Sequence, residues 1–210
     1  MTRHVDYYFT PVSPWAFLGH ARFVQLLRDT GATVSVRPVD YGAIFPASGG
    51  LPLARRAPQR QAYRLVELKR FASALQVPLN PQPAFFPVAA DPAAWLIVAA
   101  GEREGQDAAL ALAGRFGAAV WVEQRDIGDE ATRRAIVAEA GLPDDLHVQA
   151  AAPDTASRYA AHTQQALDAG VFGAPSYVVD GEIFWGQDRL DFLARRLHAD
   201  GGVAAAVSRP

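Results

Sequence analysis

Cysteine is absent from the 210 residues, which excludes disulfides, thiolate metal ligation and any redox cycle run on the protein's own thiols. Lysine is nearly absent too: Lys69 stands alone among the basic residues against nineteen arginines. Excess charge of one sign is also lacking. Twenty Lys and Arg face 22 Asp and Glu, a formal charge of −2, so nothing favours nucleic acid or an anionic membrane as partner. Long hydrophobic runs are missing as well. The most apolar stretch, 89–100, is interrupted by Asp91 and Pro92 and is too short to span a bilayer. The first nine residues contain Arg3, His4 and Asp6 and no apolar run of signal-peptide length, so a soluble, cytoplasmic protein is expected. His4, His20, His147, His162 and His198 have no metal-ligand spacing, and no metal is expected. Neither a P-loop nor a G-x-G-x-x-G occurs. What is present is a chain half hydrophobic and one-tenth aromatic, long enough to bury about 70% of its unfolded surface.

The N-terminal forty residues read as strand, helix, strand. Val5–Phe9 alternates and is aromatic, and Thr10-Pro11-Val12-Ser13-Pro14 breaks it. Ser13 then fits an N-cap, with Pro14 in the first helical position and Gly31 at the far end. Residues 33–39 read as the second strand of a βαβ unit. From about Ala43 to Leu167 the periodicity is helical: helices are expected over Gln59–Leu75, Pro92–Glu104, Gln106–Val122, Asp129–Ala140 and Asp154–Asp168. Strands return in Ser176–Val179 and Glu182–Trp185 around an Asp180-Gly181 turn, and Asp188 is expected to cap a last helix. The tail from Asp200 reads as loose. Removing the middle leaves β-α-β-β-β-α, the thioredoxin arrangement. The expected fold is therefore α/β, a thioredoxin-like domain over 1–42 and 169–210 with a large all-helical insertion over 43–168.

Four groups of residues can carry chemistry. Ser13-Pro14-Trp15 stands at a strand-to-helix junction, where free N–H groups favour an anion and a hydroxyl can donate to a thiolate brought by a ligand. An ordinary capping serine reads the same, and no G-x-S-x-G elbow surrounds it. Gly173-Ala174-Pro175-Ser176 precedes a strand. It is either a permitted strand-initial proline or a cis turn whose backbone can pair with a peptide ligand. Gly186-Gln187-Asp188-Arg189 is either a cap or a seat for an amino-acid zwitterion. Arg55, Arg56 and Arg60 are either a solvated face or a cationic rim for an acidic substrate.

These residues resemble a known family. The pieces are Ser13-Pro14-Trp15-Ala16-Phe17-Leu18-Gly19, Val36-Arg37-Pro38, Pro58-Gln59-Arg60-Gln61-Ala62-Tyr63, and Val120-Trp121-Val122-Glu123-Gln124-Arg125-Asp126-Ile127. Gly170-Val171-Phe172-Gly173-Ala174-Pro175-Ser176 and Phe184-Trp185-Gly186-Gln187-Asp188-Arg189-Leu190 follow in order. Together they are similar to the 2-hydroxychromene-2-carboxylate isomerases, a branch of the kappa-class glutathione transferases within the DsbA-like thioredoxin superfamily. The resemblance implies a glutathione-dependent isomerase of an aromatic unsaturated 2-oxo acid, of the 2-hydroxychromene-2-carboxylate to trans-o-hydroxybenzylidenepyruvate type, in aromatic-compound degradation. It also implies a homodimer. By it, Ser13 holds the glutathione sulfur as the catalytic residue, Ala174 and Pro175 pair with the cysteine, and Gln187 and Asp188 grip the γ-glutamyl end. Arg60 falls where a basic residue meets the glycyl or substrate carboxylate. Relatives commonly carry Asn in a Gly-Asn-x-Pro-like stretch on the substrate side. Here Ser48-Gly49-Gly50-Leu51-Pro52 puts Gly50 in that place and removes a polar substrate contact. A kappa-class transferase and a non-catalytic glutathione-binding protein are the alternative functions.

Overall fold

A computed structural model describes residues 2–198; the tail expected to be loose lies outside them. β1 (His4–Phe9) leads into α1 (Pro14–Thr30) and β2 (Thr33–Pro38). Seven helices follow: α2 (Tyr41–Ser48), α3 (Pro58–Leu75), α4 (Asp91–Arg103), α5 (Gln106–Trp121), α6 (Glu130–Glu139), α7 (Leu146–Ala150) and α8 (Pro153–Asp168). The hairpin β3 (Ser176–Val179) and β4 (Glu182–Trp185) then runs through a 3-10 turn, Gln187–Arg189, into α9 (Leu190–His198). The strands form one sheet in the order β2-β1-β3-β4, with β1 and β2 parallel and the other pairs antiparallel. This is the expected thioredoxin-like arrangement, with the helices α2 to α8 between β2 and β3.

The expected helices appear within two residues at each end. α2 and α7 were not expected: Pro46 inside α2 masks it, and α7 is a single short turn. Asp188 caps nothing; it sits inside the 3-10 turn, whose flanking residue Gly186 makes no side-chain cap. Gly186, with φ near +101°, is where the chain enters the turn, two positions before Asp188, so Asp188 already lies within it.

Burial follows the strand period. Tyr7 and Phe9 stack at 4.4 Å on one face of β1, and Tyr7 stacks on Tyr177 of β3 at 5.2 Å. Phe23 of α1 tilts against both tyrosines. That face continues into α4 and α5 through Leu96, Ile97, Leu112 and Phe116, so these helices and the sheet share one apolar cluster. Tyr8 and Val178 face the other way, against Tyr41, Ile44 and Ala166 of α2 and α8. The sheet is thus covered on both sides. Small residues on α5 bring it close to α1: a Cβ added at Gly114 would lie 2.5 Å from His20 Nε2, and one at Gly117 2.9 Å from the Phe17 ring.

Candidate active site

Ladder register brings the candidate residues to one end of the sheet. Tyr8 pairs with Ser176, and Ser176 with Trp185. The residues just after β1, just before β3 and just after β4 therefore lie side by side. These are the Thr10–Ser13 turn, Ala174-Pro175, and Gln187-Asp188. The chain leaves β1 in a turn closed by the Ser13 N–H on the Thr10 carbonyl at 3.0 Å.

Ser13 is buried and is the N-cap of α1: its Oγ accepts the Ala16 N–H at 3.2 Å. A hydroxyl has two lone pairs and one proton, so the cap engages a lone pair and leaves the proton to donate. Capping and holding a thiolate are compatible in this geometry. In the rest of the first turn Pro14 has no N–H and Phe17 donates to the Ser13 carbonyl at 3.0 Å, so the Trp15 N–H is the amide left open at the helix start.

Ala174–Pro175 is a cis peptide. The turn before it is held by its Gly173 carbonyl, which accepts from the Tyr41 hydroxyl at 2.9 Å and the Ser176 hydroxyl at 2.7 Å. Gly173 must be glycine, because an added Cβ would collide with the Trp185 indole nitrogen. Pro175 has no N–H, and its carbonyl accepts from Gly186 at 2.8 Å. The backbone of Ala174 is what this turn has to offer a ligand. A second cis bond, Phe86–Pro87, was not anticipated.

Gln187 is buried against α1, with its Oε1 and main-chain carbonyl accepting from Arg22 at 3.0 and 3.3 Å. It fixes the 3-10 turn to α1 more than it opens toward solvent. Asp188 is exposed and pairs with Arg189 at 2.7 Å.

The remaining candidates come from the helical segment. Gly50 closes the α2 C-terminus by donating its N–H to the Phe45 carbonyl at 2.9 Å, and a Cβ there would lie 2.5 Å from Phe45 Cδ1. The Phe45 ring explains the glycine. Arg60 is exposed in the first turn of α3, and Arg56 donates Nε–H to the Leu51 carbonyl at 2.8 Å. α3 meets the start of α1 where Phe71 and Trp15 pack edge to face at 5.8 Å. Two residues passed over in the sequence belong to this region: Tyr41, which ties down Gly173, and Arg64, one turn beyond Arg60. The i, i+4, i+8 series Arg60, Arg64, Leu68, leading into a buried leucine, is the signal that could have found Arg64.

A cleft of about 250 Å³ lies elsewhere, at the β2 edge between Arg37, Arg158, His162 and Gln165. Its two arginines are already paired, Arg37 with Asp6 at 2.8 Å and Arg158 with Glu102 at 3.1 Å.

A DSBA-like thioredoxin domain matches residues 4–198. The chain is 33% identical over 195 residues to 2-hydroxychromene-2-carboxylate isomerase of Sphingobium xenophagum, covering 92% of this chain and 97% of that one. It belongs to that family. A solved structure of a 2-hydroxychromene-2-carboxylate isomerase matches with a TM-score of 0.79 at 26% identity, over 92% of this chain and 94% of that one. A shorter likeness, 33% identity over 82 residues, links 39% of the chain to 36% of glutathione S-transferase kappa 1 of Caenorhabditis elegans. Among the described residues no helix is long and apolar enough to cross a membrane.

Proposed function

We propose that the protein is a glutathione-dependent isomerase acting on an aromatic unsaturated 2-oxo acid, of the 2-hydroxychromene-2-carboxylate to trans-o-hydroxybenzylidenepyruvate type. The observation that carries this reading is Ser13, a buried hydroxyl at a helix start whose cap bond leaves its proton to donate. When bound, glutathione supplies a thiolate that adds reversibly to the substrate's conjugated double bond, allows rotation and is expelled unchanged. The protein's part is to hold that sulfur as an anion. A free thiol has a pKa of about 8.5, and lowering it by two units takes about 2.7 kcal/mol. The helix start contributes about 0.3–2 kcal/mol and a hydrogen bond to a charged acceptor about 1.5–3. Ser13 and the first turn of α1 suffice together, and neither does so reliably alone.

In this reading the Ala174 backbone, on the turn formed with Pro175, pairs with the cysteinyl peptide, and Asp188 with the Gln187 turn receives the γ-glutamyl amine and carboxylate. Arg60 offers a cation at the mouth to the glycyl or substrate carboxylate. Gly50 gives the substrate side no polar group. We further propose a cytoplasmic homodimer serving aromatic-compound breakdown. A second reading, conjugation of glutathione to an electrophile, is favoured by the partial likeness to a kappa-class transferase. Titration calorimetry with reduced glutathione tests the shared part, and absence of binding at millimolar ligand would refute it. Turnover with 2-hydroxychromene-2-carboxylate then separates the two. Unchanged glutathione indicates isomerisation, and stoichiometric consumption indicates transfer.

A further inference from the structure

Most arginines of this chain rest on a carboxylate, as Arg37 does on Asp6, Arg103 on Asp145 and Arg134 on Asp144. Arg64 does not. It is half-buried in α3, and its guanidinium lies 5.5 Å from the centre of the Phe86 ring and 5.7 Å from that of Trp121. Ring faces hold it, and among the described residues no carboxylate, carbonyl or amide oxygen accepts from it. Burial first, then the neighbouring Arg56 cation, pull its pKa down to about 10, so it is charged at neutral pH and that charge is poorly compensated. A half-buried cation facing a second cation is costly to fold around unless an anion joins it.

Its position relative to Ser13 follows from two helices. α1 and α5 run antiparallel where they touch: Gly114 meets His20 and Gly117 meets Phe17. One more turn of α5 reaches Trp121, level with the start of α1, and Arg64 sits on Trp121. On α3 itself, Arg64, Leu68 and Phe71 share a face, and Phe71 packs on Trp15 in the first turn of α1. Both routes bring the unpaired guanidinium to the Ser13 end of α1.

We propose that Arg64 binds the carboxylate of the aromatic 2-oxo acid and so sets the preference for acidic substrates, leaving the exposed Arg60 to the glycyl carboxylate of glutathione. The proposal rests on the reading of the site given above. Arg64 acts as a fork that can take both carboxylate oxygens, and the rings of Phe86 and Trp121 fix its plane in advance.

The test uses the full chain and its Arg64→Met and Arg64→Lys variants. The probes are reduced glutathione, phenylpyruvate as a flat aromatic 2-oxo acid, and phenylpyruvate methyl ester. Phenylpyruvate is expected to raise the melting temperature of the unaltered chain and the ester to do so far less. In Arg64→Met the phenylpyruvate affinity should fall about 10–100-fold, with Arg64→Lys between, while glutathione affinity stays within about twofold. For 2-hydroxychromene-2-carboxylate, KM should rise by the same factor and kcat change less. Arg64→Met without any ligand should melt no lower than the unaltered chain, since it loses a charge and keeps the bulk against the two rings. Unchanged phenylpyruvate affinity in Arg64→Met overturns the proposal. So does a lower melting temperature with no loss of selectivity for acid over ester, which would mark Arg64 as packing alone. Failure of glutathione to bind the unaltered chain refutes the isomerase reading instead. An Arg64-dependent phenylpyruvate response would then still uphold the carboxylate site.

Discussion

The two sides of the site are built differently. On the side made by the sheet and α1, the main polar groups have partners before any ligand arrives. Ser13 Oγ holds Ala16, the Gly173 carbonyl takes two hydroxyl protons, and Gln187 is tied to Arg22. On the side made by α2 and α3, Arg60 and Arg64 have no carboxylate among the described residues, and Gly50 carries no side chain at all. Under the proposed function the difference separates two tasks. A fixed frame can lower the pKa of a thiol without reorganising, because its donors already point where charge develops. On the cationic side the charge stays uncompensated until an anion arrives, and for Arg64 the rings of Phe86 and Trp121 set the plane in which that anion is met.

The largest effect expected is an acid sensitivity seated in α1 of the frame and in α8, away from the cationic side. Burial holds His20 of α1 and His162 of α8 down to about 4, with Arg37 adding to it at His162. Above pH 6.5 both imidazoles are neutral in the folded and the unfolded chain, and stability is full. As pH falls from 6.5 toward 4 the unfolded chain takes up protons the folded one refuses, so stability drops, by up to about 3 kcal/mol per imidazole. Urea midpoints at pH 7 and pH 4.5 measure this. His20→Gln and His162→Gln should each remove part of the difference. A double variant that keeps the whole difference would show that other groups cause it.

Next comes the frame's own chemistry. Ser13→Ala should cut turnover about 10–100-fold and raise the pKa of bound glutathione, corresponding to about 1.5–3 kcal/mol. It also removes a cap, for about 1 kcal/mol of stability, whereas a glycine there costs only a few tenths. Ser13→Gly is therefore the cleaner probe of the hydroxyl. If it keeps full activity, Ser13 is a cap and nothing more.

Gly173→Ala probes the frame's rigidity. The added methyl meets Trp185, and overpacking of this kind costs about 1–3 kcal/mol. Thermal melts should show the loss, and glutathione affinity should fall with it as the Ala174 turn shifts. A variant that melts lower yet binds glutathione unchanged would break the link between this turn and the ligand.

What the sequence makes legible divides along the same line. Ser13-Pro14 and Asp180-Gly181 could be read because a cap and a two-residue turn are local: the residues that decide them are neighbours, and Asp180 and Gly181 both take the positive φ such a turn requires. The thioredoxin order followed from them. The ties that finish the site were not legible. Gln187 meets Arg22 across 165 positions and Tyr41 meets Gly173 across 132, and no spacing rule connects such pairs. Arg64 was hidden for a related reason. In the sequence it is one arginine among nineteen, and only packing reveals that rings surround it and that no carboxylate among the described residues does.

The smallest effect expected concerns Gly50, which the proposed function puts on the substrate side in place of an asparagine. The Phe45 ring occupies the space a Cβ would need, at 2.5 Å, and it is also within 6.0 Å of the Arg56 guanidinium and 5.4 Å of the Tyr41 ring. Gly50→Asn alone should therefore destabilise by about 1 kcal/mol, because the ring must move and its neighbours resist. Phe45→Ala should open the place at a cost of its own. Combined, the two changes should cost less than their sum, since residues in contact do not add. If the double variant equals the sum, Phe45 is not what keeps position 50 a glycine. If it costs less, the same double variant can be assayed with 2-hydroxychromene-2-carboxylate. A lower KM there would show that the space now filled by Phe45 is where an asparagine meets substrate, and that this chain has exchanged that contact for packing on Arg56 and Tyr41.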